Sequence, residues 1–315
     1  MSSIADTADF PTKTPSMRKT WNFGGLFNAG LSWWFVIPAL LLYCLIIVYP
    51  MLSGTGYAFT NWNGLTPDYS YVGFANFQRM FGDPQALSAI STTLIMAFAL
   101  VTGKVIVGLL LALALDSELK SRNFLRMIFF MPVVLTPVIM SFSWKYIFST
   151  TGALNQIIKL VGPASWAQQW LGEPTLALFS VIFVTGWGSV GLAMVIFLAG
   201  LQGVPKELIE AAKIDGASSA ARLRYIILPL LAPAMTINVV IGLVQGLKFF
   251  DQIYVLTGGG PGYATETLST IIYKTSFQFG EYGYGSATAL VFALLVAAIV
   301  FAATHILRRR EIPSG

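Results

Sequence analysis

The chain has 315 residues, 56% hydrophobic and only 10% charged, with a formal net charge of +5. Soluble domains carry about 25% charged residues, so this composition excludes a single soluble core and makes lipid the solvent for much of the surface. The basic residues are scattered between apolar blocks, which reads as membrane orientation and not nucleic-acid binding. One cysteine and one histidine exclude an internal disulfide and leave almost no room for a Cys/His metal site or a histidine-based catalytic centre.

Residues 1–30 are polar and read as a cytoplasmic tail, too long and polar ahead of the first apolar run for a signal peptide. A helix crossing the hydrocarbon needs about 20 mostly apolar residues. Six stretches qualify: 31–52, 88–115, 126–148, 174–200, 230–257 and 286–307. They predict an all-α, polytopic membrane protein with about six transmembrane helices, a permease-like domain over 31–310 and a short tail at 311–315. Pro38, Pro132, Pro137 and Pro233 are expected to kink helices. The segments 54–87, 149–173 and 258–285 carry only Arg79, Lys159 and Lys274. Lys104, Lys145 and Lys248 lie in or at the ends of spans. All other lysines and arginines share the opposite side, so the positive-inside rule places both termini in the cytoplasm.

The loop at about 201–229, between the fourth and fifth spans, has a helical pattern of its own. Pro205 suits the first helical position and Glu207 the positive helix N-terminus. Leu208, Ala211, Ala212 and Asp215 share one face, Gly216 ends the helix, and Ser218 or Ser219 caps a second helix leading to Leu228 and Pro229. Such a helix lies on the lipid surface or docks on a protein. Its short alanine-rich face inserts weakly in lipid and lets another backbone approach closely.

Glu210-Ala211-Ala212, then Gly216 and Ile227-Leu228-Pro229, resemble the EAA loop of permease subunits of binding-protein-dependent ABC importers. The segments from Phe249 to Pro261 and Glu281 to Ala287 resemble the carbohydrate branch, of the maltose and glycerol-3-phosphate type. The resemblance implies the type I ABC importer permease fold. It also implies a second homologous permease, two ABC ATPase subunits that carry ATP and Mg²⁺, and an extracytoplasmic sugar-binding protein. On this reading the chain itself holds no cofactor and is not an enzyme. Its loop, with Glu207, Leu208, Glu210, Ala211, Ala212, Asp215, Gly216, Leu228 and Pro229, contacts the ATPase. The absence of a G-x-x-x-x-G-K-[ST] motif fits that division of labour.

Ionisable groups at membrane depth are functional suspects. Lys248 and Asp251, at i, i+3 spacing in the fifth span, either pair, snorkel outward, or face a substrate. Gln245, Gly246 and Phe249 beside them offer what a sugar needs, namely polar groups for hydroxyls and a ring for its apolar face. Thr185, Trp187 and Ser189 form a polar, glycine-rich patch in the fourth span, where the glycines also suit helix packing. By resemblance these stretches line the translocation path, with Thr136 a further candidate. The glycine-rich run from Gly258 to Gly262 makes a poor phosphate cradle and reads as an exocytoplasmic turn. The alternative to an ABC importer is an ion-gradient-driven secondary transporter, which usually needs more spans and internal repeats than this chain has.

Overall fold

The computed structural model describes residues 32–116, 120–309 and 311. The two predicted tails lie outside these residues, save Glu311. By internal contacts the chain divides into two compact units, 1–53 and 54–315. Among the described residues there is no strand, only an isolated bridge between Thr60 and Tyr71.

The first apolar helix, α1, runs over Trp34–Tyr57. It contains a π turn at Cys44–Val48, directly ahead of Pro50. Proline lacks the N–H that an α-helix needs, and a π turn absorbs the register error. The same device recurs at Leu223–Ile227, ahead of Pro229.

In the second unit, α2 (Ala75–Gly82) leads into the long α3 (Pro84–Leu115), whose start is capped by Asp83 accepting from the Gln85 amide at 2.9 Å. Then follow α4 (Arg122–Val134), α5 (Pro137–Ile147), α6 (Ala153–Val161) and α7 (Pro174–Gln202). The loop helix α8 (Lys206–Ile214), α9 (Ser219–Leu230), α10 (Ala232–Leu247), α11 (Asp251–Leu256), α12 (Leu268–Tyr273) and α13 (Tyr282–Arg308) complete it. Among the described residues, the helices long and apolar enough to cross a membrane singly are α1, α3, α7 and α13. Two bent pairs, α4 with α5 and α9 with α10, raise the number to six if each pair is one span.

The third and fifth predicted spans are therefore corrected. The third is not one kinked helix over 126–148: α4 and α5 meet at 100°. Pro137 forces the preceding residue out of the helical region, and Thr136 sits extended at φ −65°, ψ 145°, capping α5 through the Ile139 amide. The fifth is not helical from 230 to 257. It bends 66° ahead of Pro233, stops at Leu247, and resumes only at Asp251 after an irregular Phe250 at φ −135°, ψ −62°.

Helix α3 packs along α7 and α10, and α4 packs on α7. Small residues set how closely they approach. A Cβ on Gly108 would sit 2.7 Å from that of Ala193, and one on Gly246 would sit 3.0 Å from the Ala97 Cα. Backbone-to-backbone contact of this kind is how membrane helices associate when the surrounding lipid is as apolar as their side chains. Many large apolar side chains nevertheless face outward: Phe98, Leu110, Phe179 and Phe301 are all exposed, which suits lipid rather than water.

Candidate functional site

The loop helix α8 has no buried residue. Leu208 and Ile214 are exposed, as are Glu207, Glu210, Ala211 and Asp215, whereas Ile209 and Ala212 are half-buried. Of the predicted face, Leu208, Ala211 and Asp215 are thus presented outward and Ala212 only partly. Pro205 lies one position earlier than expected, at the N-cap with ψ 124°, and Glu207 falls in the first turn. The C-terminus is a complete Schellman motif: the Ala217 amide donates to the Ala212 carbonyl at 2.9 Å and the Gly216 amide to Lys213 at 3.1 Å, with Gly216 at φ +79°. Ser218 then caps α9 through the Ala221 amide. Arg222, which sequence reasoning saw only as a charge, donates to the Ala217 carbonyl at 2.5 Å and to the Ser219 hydroxyl at 3.0 Å. It clamps the turn, and nothing in the spacing foretold it. Leu228 and Pro229 belong to α9, the element that carries the loop into the fifth span.

A cavity of about 450 Å³ opens between the α4–α5 break, α7 and the α10–α11 break. Thr185, Ser189, Gln245, Lys248, Phe249 and Asp251, all predicted, line it together. Helix breaks make it: a continuous fifth span would have covered this space with backbone. The hydroxyls of Thr185 and Ser189 donate to their own helix, to Val181 at 2.8 Å and Gly186 at 3.2 Å, leaving oxygen lone pairs as acceptors. Lys248 and Asp251 are both exposed, and no ion pair joins them among the described residues. Of the alternatives left open for them, i, i+3 pairing on one helix fails, because the helix stops at Leu247 and resumes only at Asp251. Phe250 and Gln252 line the same space.

Three candidates lie elsewhere. Gly246 lines neither this cavity nor its neighbour, and instead packs on Ala97. Thr136 spends its hydroxyl on the α5 cap, while its neighbours Leu135 and Pro137 face the cavity. Trp187 sits edge-on to Trp144 at 5.4 Å and lines a second, more apolar cavity of about 540 Å³ between α3, α4 and α7. Lys104 also lines that second cavity. It is 1% exposed, and its ammonium donates to Gln245 Oε1 at 3.3 Å. The bond crosses from one cavity to the other, and among the described residues the Gln245 amide nitrogen has no hydrogen bond of its own. Lys104 was legible only as a lysine within a span.

The end of the unit opposite α8 is tied by polar side chains. Glu266, 1% exposed, accepts from Lys274 at 2.5 Å and from Gln85 at 2.7 Å. Arg79 pairs with Glu281 at 2.8 Å and stacks over the Tyr284 ring. The Glu281 carboxylate holds the Arg79 guanidinium above its ordinary pKa. In the glycine-rich loop, Thr265 donates to the Gly260 carbonyl at 2.7 Å. Of the three basic residues predicted for the sparsely charged side, Arg79 and Lys274 are therefore paired, and Lys159 makes no ion pair among the described residues.

A family model described as binding-protein-dependent transport system inner membrane component matches residues 104–312. The chain belongs to this family. The permease is 35% identical over 274 residues to the multiple sugar-binding transport system permease protein MsmF of Streptococcus mutans, covering 87% of this chain and 94% of that one. It is 32% identical to the trehalose/maltose transport system permease protein MalF of Thermococcus litoralis, over 85% and 90% of the two chains. In fold it matches a chain of a bacterial ABC transporter that imports the acidic polysaccharide alginate, with a TM-score of 0.79, 24% identity and coverage of 91% and 98%. The permease thus has the all-α, multi-pass, type I importer fold expected of it. The family match begins at Lys104 and takes in α8 and the α7 and α10 walls of the cavity.

Proposed function

We propose that this permease is the membrane subunit of an ATP-driven importer and forms half of the pathway for a carbohydrate or related polyol. On this reading α8 receives the force of ATP hydrolysis from separate ATPase subunits. The observation that carries it is α8 itself, an exposed helix of nine residues held at a fixed angle by the Gly216 turn and the Arg222 clamp. A helix this short is marginal alone, so building a rigid mount for it is consistent with a mechanical role. The alanines of its face let it enter a cleft, and Glu210 meets a donor there.

The cavity supports the carbohydrate class. It combines an aromatic ring, amide and hydroxyl groups, and an exposed lysine and aspartate, which suits hydroxyl-rich ligands with apolar ring faces. The sugars named for the relatives point the same way. A second homologous permease completes the pathway, two ABC ATPases hold ATP and Mg²⁺, and an extracytoplasmic sugar-binding protein delivers the substrate. Both termini and α8 lie on the cytoplasmic side of the bacterial inner membrane. The test is ATPase stimulation of the reconstituted complex across a sugar panel presented with its binding protein. Glu210→Lys leaves the protein inserted and abolishes stimulation. Normal coupling in that variant, or uptake driven by an ion gradient without ATP, removes the assignment.

A further inference from the structure

The aromatic residues of the end opposite α8 form a row that leads to the cavity. Phe250, in the cavity wall, stacks on Tyr254 at 5.3 Å, and Tyr254 meets Tyr273 at 5.1 Å. Tyr273 meets Phe277 at 5.6 Å, Phe277 meets Tyr282 at 5.6 Å, and Tyr282 meets Trp62 at 5.2 Å. The chain builds this row from two i, i+4 pairs. Phe250 and Tyr254 flank the start of α11, while Tyr273 and Phe277 follow one face of α12 into its π-helical extension, Lys274–Gln278.

None of the six rings is buried: Phe277 is 65% exposed, Tyr254 39%, and the other four are half-buried. The Trp62 indole N–H is already spent on the Thr66 carbonyl at 2.7 Å. Tyr57 stacks on that ring at 4.1 Å and Tyr69 lies 6.2 Å away, so it closes the far end of the row with one face already covered and no further hydrogen bond to give. Tyr254 and Tyr273 add hydroxyls midway along the row, where they hydrogen-bond to one another. A row of interfacial tyrosines and tryptophans ordinarily anchors a membrane protein to the headgroup region. A belt of that kind has no reason to run into a cavity that carries Gln245, Lys248 and Asp251, whereas this one ends in the wall beside Asp251 and Gln252.

We propose that this row is an extended binding track for an oligosaccharide chain, along which successive sugar rings stack on their way to the cavity. Pyranose rings present apolar C–H faces that pack on aromatic faces, and stacking is tolerant of register, so a chain slides along such a row without being trapped. The track rests on the carbohydrate reading above and deepens it: the cavity alone takes a short sugar, and the row adds subsites for longer ones.

The experiment uses the complete complex in liposomes with its binding protein, ATPase stimulation being read against maltose-, cellulose- and galactose-type series from di- to hexasaccharide. The variants are Tyr254→Ala and Phe277→Ala, with Phe277→Trp as the conservative control. The expected result is an apparent affinity that falls about three- to tenfold for the longer members, little change for the disaccharide, and wild-type values for Phe277→Trp. Equal loss at every length, or none, overturns the track. Loss accompanied by failed assembly assigns the rings to a subunit or lipid contact and also overturns it. No stimulation of the wild-type complex by any series defeats the carbohydrate reading itself, and the track with it.

Discussion

Gly216 gives the most direct access to the coupling loop. It holds φ +79°, and a Cβ placed there meets nothing within 4 Å. A substitution is therefore felt only through the backbone. An L-residue in the left-handed region costs about 1–2 kcal/mol. Replacing glycine also removes freedom from the unfolded chain, which returns about 0.4–1 kcal/mol. The net for Gly216→Ala is about 1 kcal/mol against the Schellman turn, or about a fivefold loss in the weight of the docking geometry, by the relation between free energy and population. Asparagine tolerates this conformation best among the non-glycine residues, and β-branched residues worst. The expected order in ATPase-subunit affinity and in sugar-stimulated hydrolysis is Gly, Asn, Ala, Val. That order does not follow side-chain size, so it separates backbone strain from steric block. Gly216→Val indistinguishable from wild type, or Gly216→Asn as poor as valine, refutes the idea that the turn sets the angle of α8.

Gly246→Val should lower the thermal stability of the purified complex by about 1–3 kcal/mol, because the Ala97 backbone must yield. Sugar preference should stay unchanged in that variant, and a changed preference without lost stability would return Gly246 to the pathway. Lys104→Met should leave assembly and stability near wild type, since replacing a buried cation by an isosteric apolar chain is often neutral. Its sugar affinity should fall about fivefold, the worth of one hydrogen bond of about 1 kcal/mol that orients Gln245. An unchanged affinity in a transport assay rules out that orienting role.

The loop was the most legible part of the site. Helix start, exposed face, glycine stop and second cap are all local instructions, carried by residues within a few positions of one another, and each is found close to where the spacing put it. Only the Arg222 clamp escaped, because a guanidinium reaching back five residues to a carbonyl leaves no pattern in sequence. The cavity was half legible. Thr185, Ser189 and Gln245 stood out as polar groups in apolar runs, and they do converge. Gly246 and Trp187 sit in the same runs but face elsewhere, since facing depends on how α3, α7 and α10 are rotated against each other.

Hydropathy by itself determined that the chain crosses a membrane several times, because a segment of about 20 apolar residues has no stable place in water. It could not determine where those crossings break. The gaps at Thr136 and at Lys248 to Phe250 arise from proline sterics together with contacts made far along the chain, such as the Thr267 hydroxyl donating to the Phe249 carbonyl at 3.2 Å. Those breaks open the cavity and bring Phe250 to the end of a row of rings drawn from segments remote in sequence. Local chemistry chose the helices. Packing between distant segments decided which of their residues meet, because a side chain's neighbours across a bundle are set by interhelical geometry and not by sequence spacing.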